Sequence, residues 1–137
     1  FNYHIYGSNN YLEKYGYPKT NKDLNKHNFI TYGRGAPSPV FNPDWALKLG
    51  VQDGKKRKPV MKVNSVYGLL LAVQSGVGLA ALPDYITYNV PNITKILPNE
   101  SGSPTETHFV YPSSLKNVAR VTAFRNFIFS KVGEWKF

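Results

Sequence analysis

The 137-residue chain contains no cysteine, which excludes disulfide scaffolds, thiolate metal sites and cysteine nucleophiles. Acidic groups are scarce. Eight Asp and Glu stand against 17 Lys and Arg, for a formal net charge of +9. The three histidines, His4, His27 and His108, lie far apart with no carboxylate at ligand spacing, so no metal or cofactor is expected. Apolar runs are short: the longest, residues 69–82, is broken by Gln74, Ser75 and two glycines, below the roughly 18 residues a membrane span needs. No basic-then-apolar signal segment opens the chain. It starts at Phe1 rather than Met and reads as a piece or processed product, so the missing signal says little about compartment.

What is present is globular in character, with 42% hydrophobic and 18% charged residues. The length suits one compact domain with a core of its own. The densest basic run, Lys55-Lys56-Arg57-Lys58, can attract phosphate through counterion release. It has no interleaved aromatic to stack on bases, however, and it follows Asp53-Gly54, so it reads as a solvated turn.

Residues 1–6 alternate large apolar and polar side chains, as a short strand does. Ser8 caps a helix that Gly16 stops, and Thr20 with Asp23 resembles a capping box around Leu24. Residues 28–32 read as a strand and the Gly- and Pro-rich stretch 33–39 as a loop. Trp45, Leu47, Leu49 and Val51, then Met61 and Val63, alternate with other residues across Asp53-Gly54, predicting a hairpin with a basic tip. Ser65 caps an apolar helix over 66–75, ended by Gly76; residues 77–82 form a buried strand, and Pro83 opens a small helix carrying Tyr85 and Ile86. Residues 91–97 give another strand, 99–106 a polar loop and 107–111 an aromatic strand. Apolar residues from Leu115 to Trp135 recur every three or four positions, marking a long C-terminal helix capped by Ser113 or Ser114. Asp23, Asp44, Asp53 and Asp84 each stand at a turn or helix start and read as caps.

The glycines in "QSGVGLAALPDY" are not a phosphate loop. Such loops precede a helix, whose free N–H groups hold the anion; these follow one and meet its partly negative end. Gly76 is a helix stop and Gly78 permits close packing beside the strand.

Taken in order, "NNYLEKYGYPKTNKDLNKHNFITY", "VNSVYGLLLAVQSGVGLAALPDYI" and "THFVYPSSLKNVARVTAFRNFI" resemble the second half of a LysR-type transcriptional regulator. The matching positions are Tyr11, Gly16, Pro18, Asp23, Leu24 and His27, the string from Gly76 to Pro83, and Val110-Tyr111-Pro112. The resemblance implies an α/β fold: one lobe of a type 2 periplasmic-binding-protein-like domain with a mixed sheet, hinge strands and a C-terminal helix. It makes residues 1–7 the first hinge strand and 8–106 the second lobe. Residues 107–137 become the return hinge strand and the helix of an otherwise missing first lobe.

The same resemblance implies a small-molecule effector held between lobes, bacterial and cytoplasmic, with homo-oligomers in the full-length protein and no membrane partner. DNA would be bound only by a separate helix-turn-helix domain outside this chain. Carried over by position, the cleft residues are Tyr32, Gly33, Arg34, Phe41, Asn64, Ser65, Val77 and Gly78. Asn64 and Ser65 stand at a helix N-terminus that favours an anion, and Arg34 can clamp a carboxylate, so an organic acid is the expected effector. A periplasmic solute-binding lobe and a basic nucleic-acid module are the alternatives. No Ser-His-Asp order or Gly-x-Ser-x-Gly elbow points to an enzyme.

Overall fold

The computed structural model describes residues 1–33, 42, 44–52 and 54–134. Two compact units make it up, residues 1–105 and 106–137. The first unit is built on a five-stranded sheet. In chain order its elements are β1 (Tyr3–Ser8), α1 (Asn9–Tyr15), a 3-10 turn (Asp23–Lys26), β2 (Phe29–Tyr32), α2 (Trp45–Lys48), β3 (Met61–Val63), α3 (Val66–Gln74), β4 (Leu79–Pro83), α4 (Asp84–Thr87) and β5 (Ile93–Ile96).

The strands lie in the order β3-β2-β4-β1-β5. β2 runs parallel to β3 and β4, whereas β1 enters antiparallel between β4 and β5. All six residues of β1 are buried. The expected alternation of inward and outward residues therefore fails there, because helices cover both faces of a central strand. One face packs Ile5, Leu12, Leu24, Phe29, Leu47 and Leu79 under α1, the 3-10 turn and α2. The other packs Tyr6, Ile30, Leu70, Val73, Ala80 and Leu82 under α3 and α4. The result is a three-layer α/β/α sandwich.

Local signals place most of the helix ends. Ser8 Oγ accepts from Tyr11 N–H (3.4 Å) and Ser65 Oγ from Gly68 N–H (3.3 Å), each filling a free donor of a first turn. Asp23 accepts from the N–H groups of Thr20 (2.8 Å) and Lys19 (3.1 Å), the acidic half of the expected box. Gly76, at φ +74°, takes the left-handed turn that ends α3. Gly78 lies against β2: a Cβ there would sit 2.5 Å from Asn28 O.

Two further expectations are corrected in this unit. The hairpin over 45–63 does not form. A turn does occur, with Lys55 N–H donating to Gln52 O (3.1 Å), but residues 45–48 are the helix α2 and β3 pairs parallel with β2. The run Trp45-Ala46-Leu47 fits either period, and the contiguous burial of Ala46 and Leu47 selects the helix. The basic run is not wholly a solvated tip either. Arg57 turns inward, its guanidinium donating to Ala46 O (3.2 Å) and Asn21 O (3.2 Å) and lying 5.4 Å over the Phe29 ring.

In the second unit, residues 107–111 join no sheet ladder among the described residues; Phe109 packs on Tyr111 (5.5 Å) and Phe124 (5.8 Å) instead. A 3-10 turn, Ser113–Leu115, precedes α5 (Ala119–Gly133), whose N-cap is Val118 with no side-chain bond. Neither Ser113 nor Ser114 caps α5, and the predicted stripe residue Trp135 lies outside the described residues. Phe124, Phe127 and Phe129 of α5 are exposed.

Gly78→Ala is expected to lower stability by about 1–3 kcal/mol, because the added methyl meets backbone that cannot rotate away; an unchanged urea midpoint contradicts this. His27 gives a pH dependence. Its ring packs on Tyr11 (5.7 Å), its Nδ1 is buried without a hydrogen-bond partner, and burial lowers its pKa from the ordinary 6.5. The unfolded chain therefore takes up this proton more readily than the folded one. Stability is expected to fall as pH drops below 6.5, and His27→Gln to remove that part of the slope in urea titrations at several pH values.

Candidate functional site

The parallel register Ile30↔Met61, Thr31↔Lys62, Tyr32↔Val63 brings the carboxyl ends of β2 and β3 side by side. The pairing continues one step further, with Gly33 N–H donating to Val63 O (2.8 Å). Tyr32 and Gly33 therefore face Asn64 and Ser65 across one strand spacing. α3 rises directly from Ser65, and it can start so close to β3 because position 68 is glycine: a Cβ there would lie 2.7 Å from Val63 Cγ1. Asn64 and Ser65 are exposed, while Tyr32 is half-buried against the α3 side of the core. In open α/β sheets ligands collect at the carboxyl ends of strands, where chain turns and helix N-termini converge.

A cavity of about 130 Å³ adjoins this edge, lined by Thr31, Tyr32, Asp44, Leu47, Lys56, Pro59 and Lys62. Asp44 holds the N-cap position of α2, yet its side chain makes no cap bond; Lys56 Nζ lies 2.7 Å from its Oδ2. A larger open groove of about 680 Å³ runs between residues 19–22 and 97–100. It contains none of the predicted residues, and its size reflects openness rather than convergent polar groups.

The predicted set does not converge as a whole. Arg34 and Phe41 lie outside the described residues. Val77 and Gly78 stand at the amino end of β4, beside Asn28, as the pairs Phe29↔Leu79 and Ile30↔Ala80 require. Four residues of strand separate Asn28 from Tyr32, about 13 Å. The structure thus brings together Tyr32, Gly33, Asn64 and Ser65, and places Val77 and Gly78 at the far end of the sheet.

Sequence reasoning missed a second polar cluster. Asp84, read as a cap, makes no side-chain cap bond and is 6% exposed. Its carboxylate faces His4 Nδ1 (2.7 and 3.0 Å), accepts from Tyr6 Oη (2.7 Å) and lies 3.5 Å from Lys95 Nζ. Burial, with the neighbouring carboxylate adding to it, pushes the Tyr6 phenol up, so it keeps its proton and donates. The only signal in the sequence is His4 and Tyr6 two apart on one strand, which fixes a shared face but no partner.

A mixed sheet, parallel at β3-β2-β4 with helices on both faces and a crossing antiparallel strand, defines a periplasmic-binding-protein-like α/β lobe. The family model described as the LysR substrate binding domain matches residues 2–132. The chain belongs to this family.

A Haemophilus influenzae protein named "Uncharacterized HTH-type transcriptional regulator" is 32% identical over 124 residues, 87% of this chain and 41% of its own length. The regulatory domain of CrgA, a LysR-type transcriptional regulator from Neisseria meningitidis, superposes with a TM-score of 0.72 at 21% identity, covering 95% of this chain and 64% of that one. The regulatory domain of AphB from Vibrio vulnificus does so at 0.66 and 14%, with 95% and 64% covered. The chain therefore spans less than two thirds of these relatives. Among the described residues no helix is long and apolar enough to cross a membrane.

Tyr6→Phe removes one donor to a buried carboxylate and is expected to cost about 1.5–3 kcal/mol. A chemical-denaturation midpoint equal to that of the unchanged chain contradicts this bond.

Proposed function

We propose that this chain is the effector-sensing part of a bacterial LysR-type regulator, and that Tyr32, Gly33, Asn64 and Ser65 form its wall of an inter-lobe cleft. The observation that carries the reading is the meeting of these four residues at the carboxyl ends of two parallel strands, beside the N-terminus of α3. The first turn of α3 offers N–H groups with no helical partner, and Ser65 Oγ satisfies one of them. The remaining donors, with the N-terminal end of the dipole, favour an anionic ligand such as an organic acid. Arg34 and Phe41 complete the set by position in sequence.

In this reading β1 is the first strand crossing between lobes, residues 8–106 are the second lobe, and 107–137 supply the return segment and a helix to the first lobe. The other half of the cleft and the DNA-binding arms belong to parts of the regulator beyond this chain. Effector closure of the cleft would bias the arrangement of a homo-oligomer in the cytoplasm and so its grip on DNA. The role is binding rather than catalysis. His4 is engaged by Asp84, and His108 is exposed beside Glu106 at 3.7 Å.

The test is a titration of a panel of small carboxylates into isotope-labelled protein containing both lobes, read by amide NMR. Shifts are expected at Gly33, Ser65 and Val66 and not at Gly78. The present chain alone should bind more weakly by about tenfold or more, the equivalent of 1.4 kcal/mol of missing contacts. Shifts centred on Gly78, or equal affinity for chain and two-lobe protein, contradict the assignment.

A further inference from the structure

The two helical covers of the sheet differ in charge. The α3–α4 layer, residues 66–92, holds a single charged residue, Asp84, whose carboxylate is buried against His4 and Tyr6. The opposite layer, built by α1, the 3-10 turn at Asp23–Lys26 and α2, is rich in lysine. Charge that served solubility alone would be spread over both, with the two signs mixed.

Backbone contacts gather these lysines. The Arg57 guanidinium donates to Asn21 O (3.2 Å) and Ala46 O (3.2 Å), and its N–H to Leu47 O (2.9 Å). Gly50 lies so close to Asn21 that any side chain at position 50 would collide with the Asn21 carbonyl. Three segments therefore meet at Asn21, and each brings exposed lysines: Lys19 and Lys22 on either side of it, Lys48 near Gly50, Lys55 and Lys58 on either side of Arg57. Lys26 closes the adjoining 3-10 turn, whose Leu24 is buried beneath the same layer.

Carboxylates at this junction are engaged. Asp23 accepts from Thr20 Oγ1 (2.9 Å) and from two backbone N–H groups, Asp44 is paired with Lys56 (2.7 Å), and Glu100 accepts from Asn21 Nδ2 (2.8 Å). Among the described residues, none of the gathered lysines has an ion-pair partner. Their ammoniums act on phosphate as point charges. Arg57, the side chain here built for paired hydrogen bonds, is turned inward.

We propose that this lysine face is a docking surface for duplex DNA, contacting the phosphate backbone without reading bases. The partner follows from the reading of the chain as part of a regulator, on which the proposal rests: DNA held by the regulator's own binding domain is the polyanion kept at high local concentration beside the lobe. Base recognition stays with that domain. The lysine face adds affinity by releasing counterions, and because the α3–α4 layer on the other side of the sheet carries no exposed charge, the lobe's field also orients it on the duplex.

The test is fluorescence anisotropy of a labelled mixed-sequence duplex titrated with the chain between about 20 and about 200 mM NaCl. Binding is expected to weaken with salt along a log–log slope of about −4, as for four or five neutralised phosphates at roughly −0.9 each. Lys19→Gln with Lys22→Gln and Lys26→Gln should flatten the slope by about 2 to 3, and Lys48→Gln with Lys55→Gln and Lys58→Gln should do the same. Each of these sets stands alone if the other does not fold. Lys116→Gln with Arg120→Gln and Arg125→Gln removes as much charge from the second unit and should move the slope by less than about 1. A slope near zero, lysine sets that leave it unchanged, or an equal flattening by the third set overturns the face. So does a labelled poly-glutamate that binds where the duplex does not, which assigns the lysines to an acidic protein. The DNA titration needs no effector and the carboxylate titration no DNA, so either can fail alone.

Discussion

The architecture depends on one placement: β1 enters antiparallel between β4 and β5. That strand divides the core into two apolar faces and requires both to be covered, by α1 and α2 on one side and by α3 and α4 on the other. It also forces polar residues of β1 into a buried setting, which is why His4 and Tyr6 need the Asp84 carboxylate. Burying a histidine and a tyrosine hydroxyl without partners would cost several kcal/mol. The carboxylate offsets this, and Lys95 balances its charge from the edge.

The parallel half of the sheet builds the edge that we propose as the cleft wall. β2 pairs with β3 and β4 in one direction, so loop residues that follow β2 and β3 meet at one edge, and α3 begins there with a capped, donor-rich turn. In the proposed reading, the strand ends, the first-turn N–H groups of α3 and the Tyr32 ring would hold one side of a small anionic molecule.

Local features of the fold were legible because their causes are local. Ser8, Ser65 and Gly76 mark helix ends through bonds that span three or four residues, and the structure has all three where the sequence places them. The 45–63 segment misled because Trp45-Ala46-Leu47 satisfies both strand and helix periods; the contiguous burial of Ala46 and Leu47 selects the helix, and Arg57 ties it down through carbonyls of residues 46, 47 and 21. Strand pairing is invisible to such reasoning. Val77 and Gly78 were grouped with Tyr32 through family resemblance, yet the β2–β4 register puts them at the opposite end. Asp84 reads as a cap from its neighbours in sequence; its actual partner is 80 residues away.

The central claim, that the carboxyl edge of β2 and β3 is the wall of an effector cleft, is most directly tested by labelling a chain that has no cysteine of its own. A single environment-sensitive dye at Asn64→Cys, and in a separate protein at Gln74→Cys at the other end of α3, is followed in the two-lobe protein as a binding carboxylate is added. A saturable emission change at position 64 with none at position 74 is the predicted result. A saturable change at position 74 with position 64 silent would contradict the account.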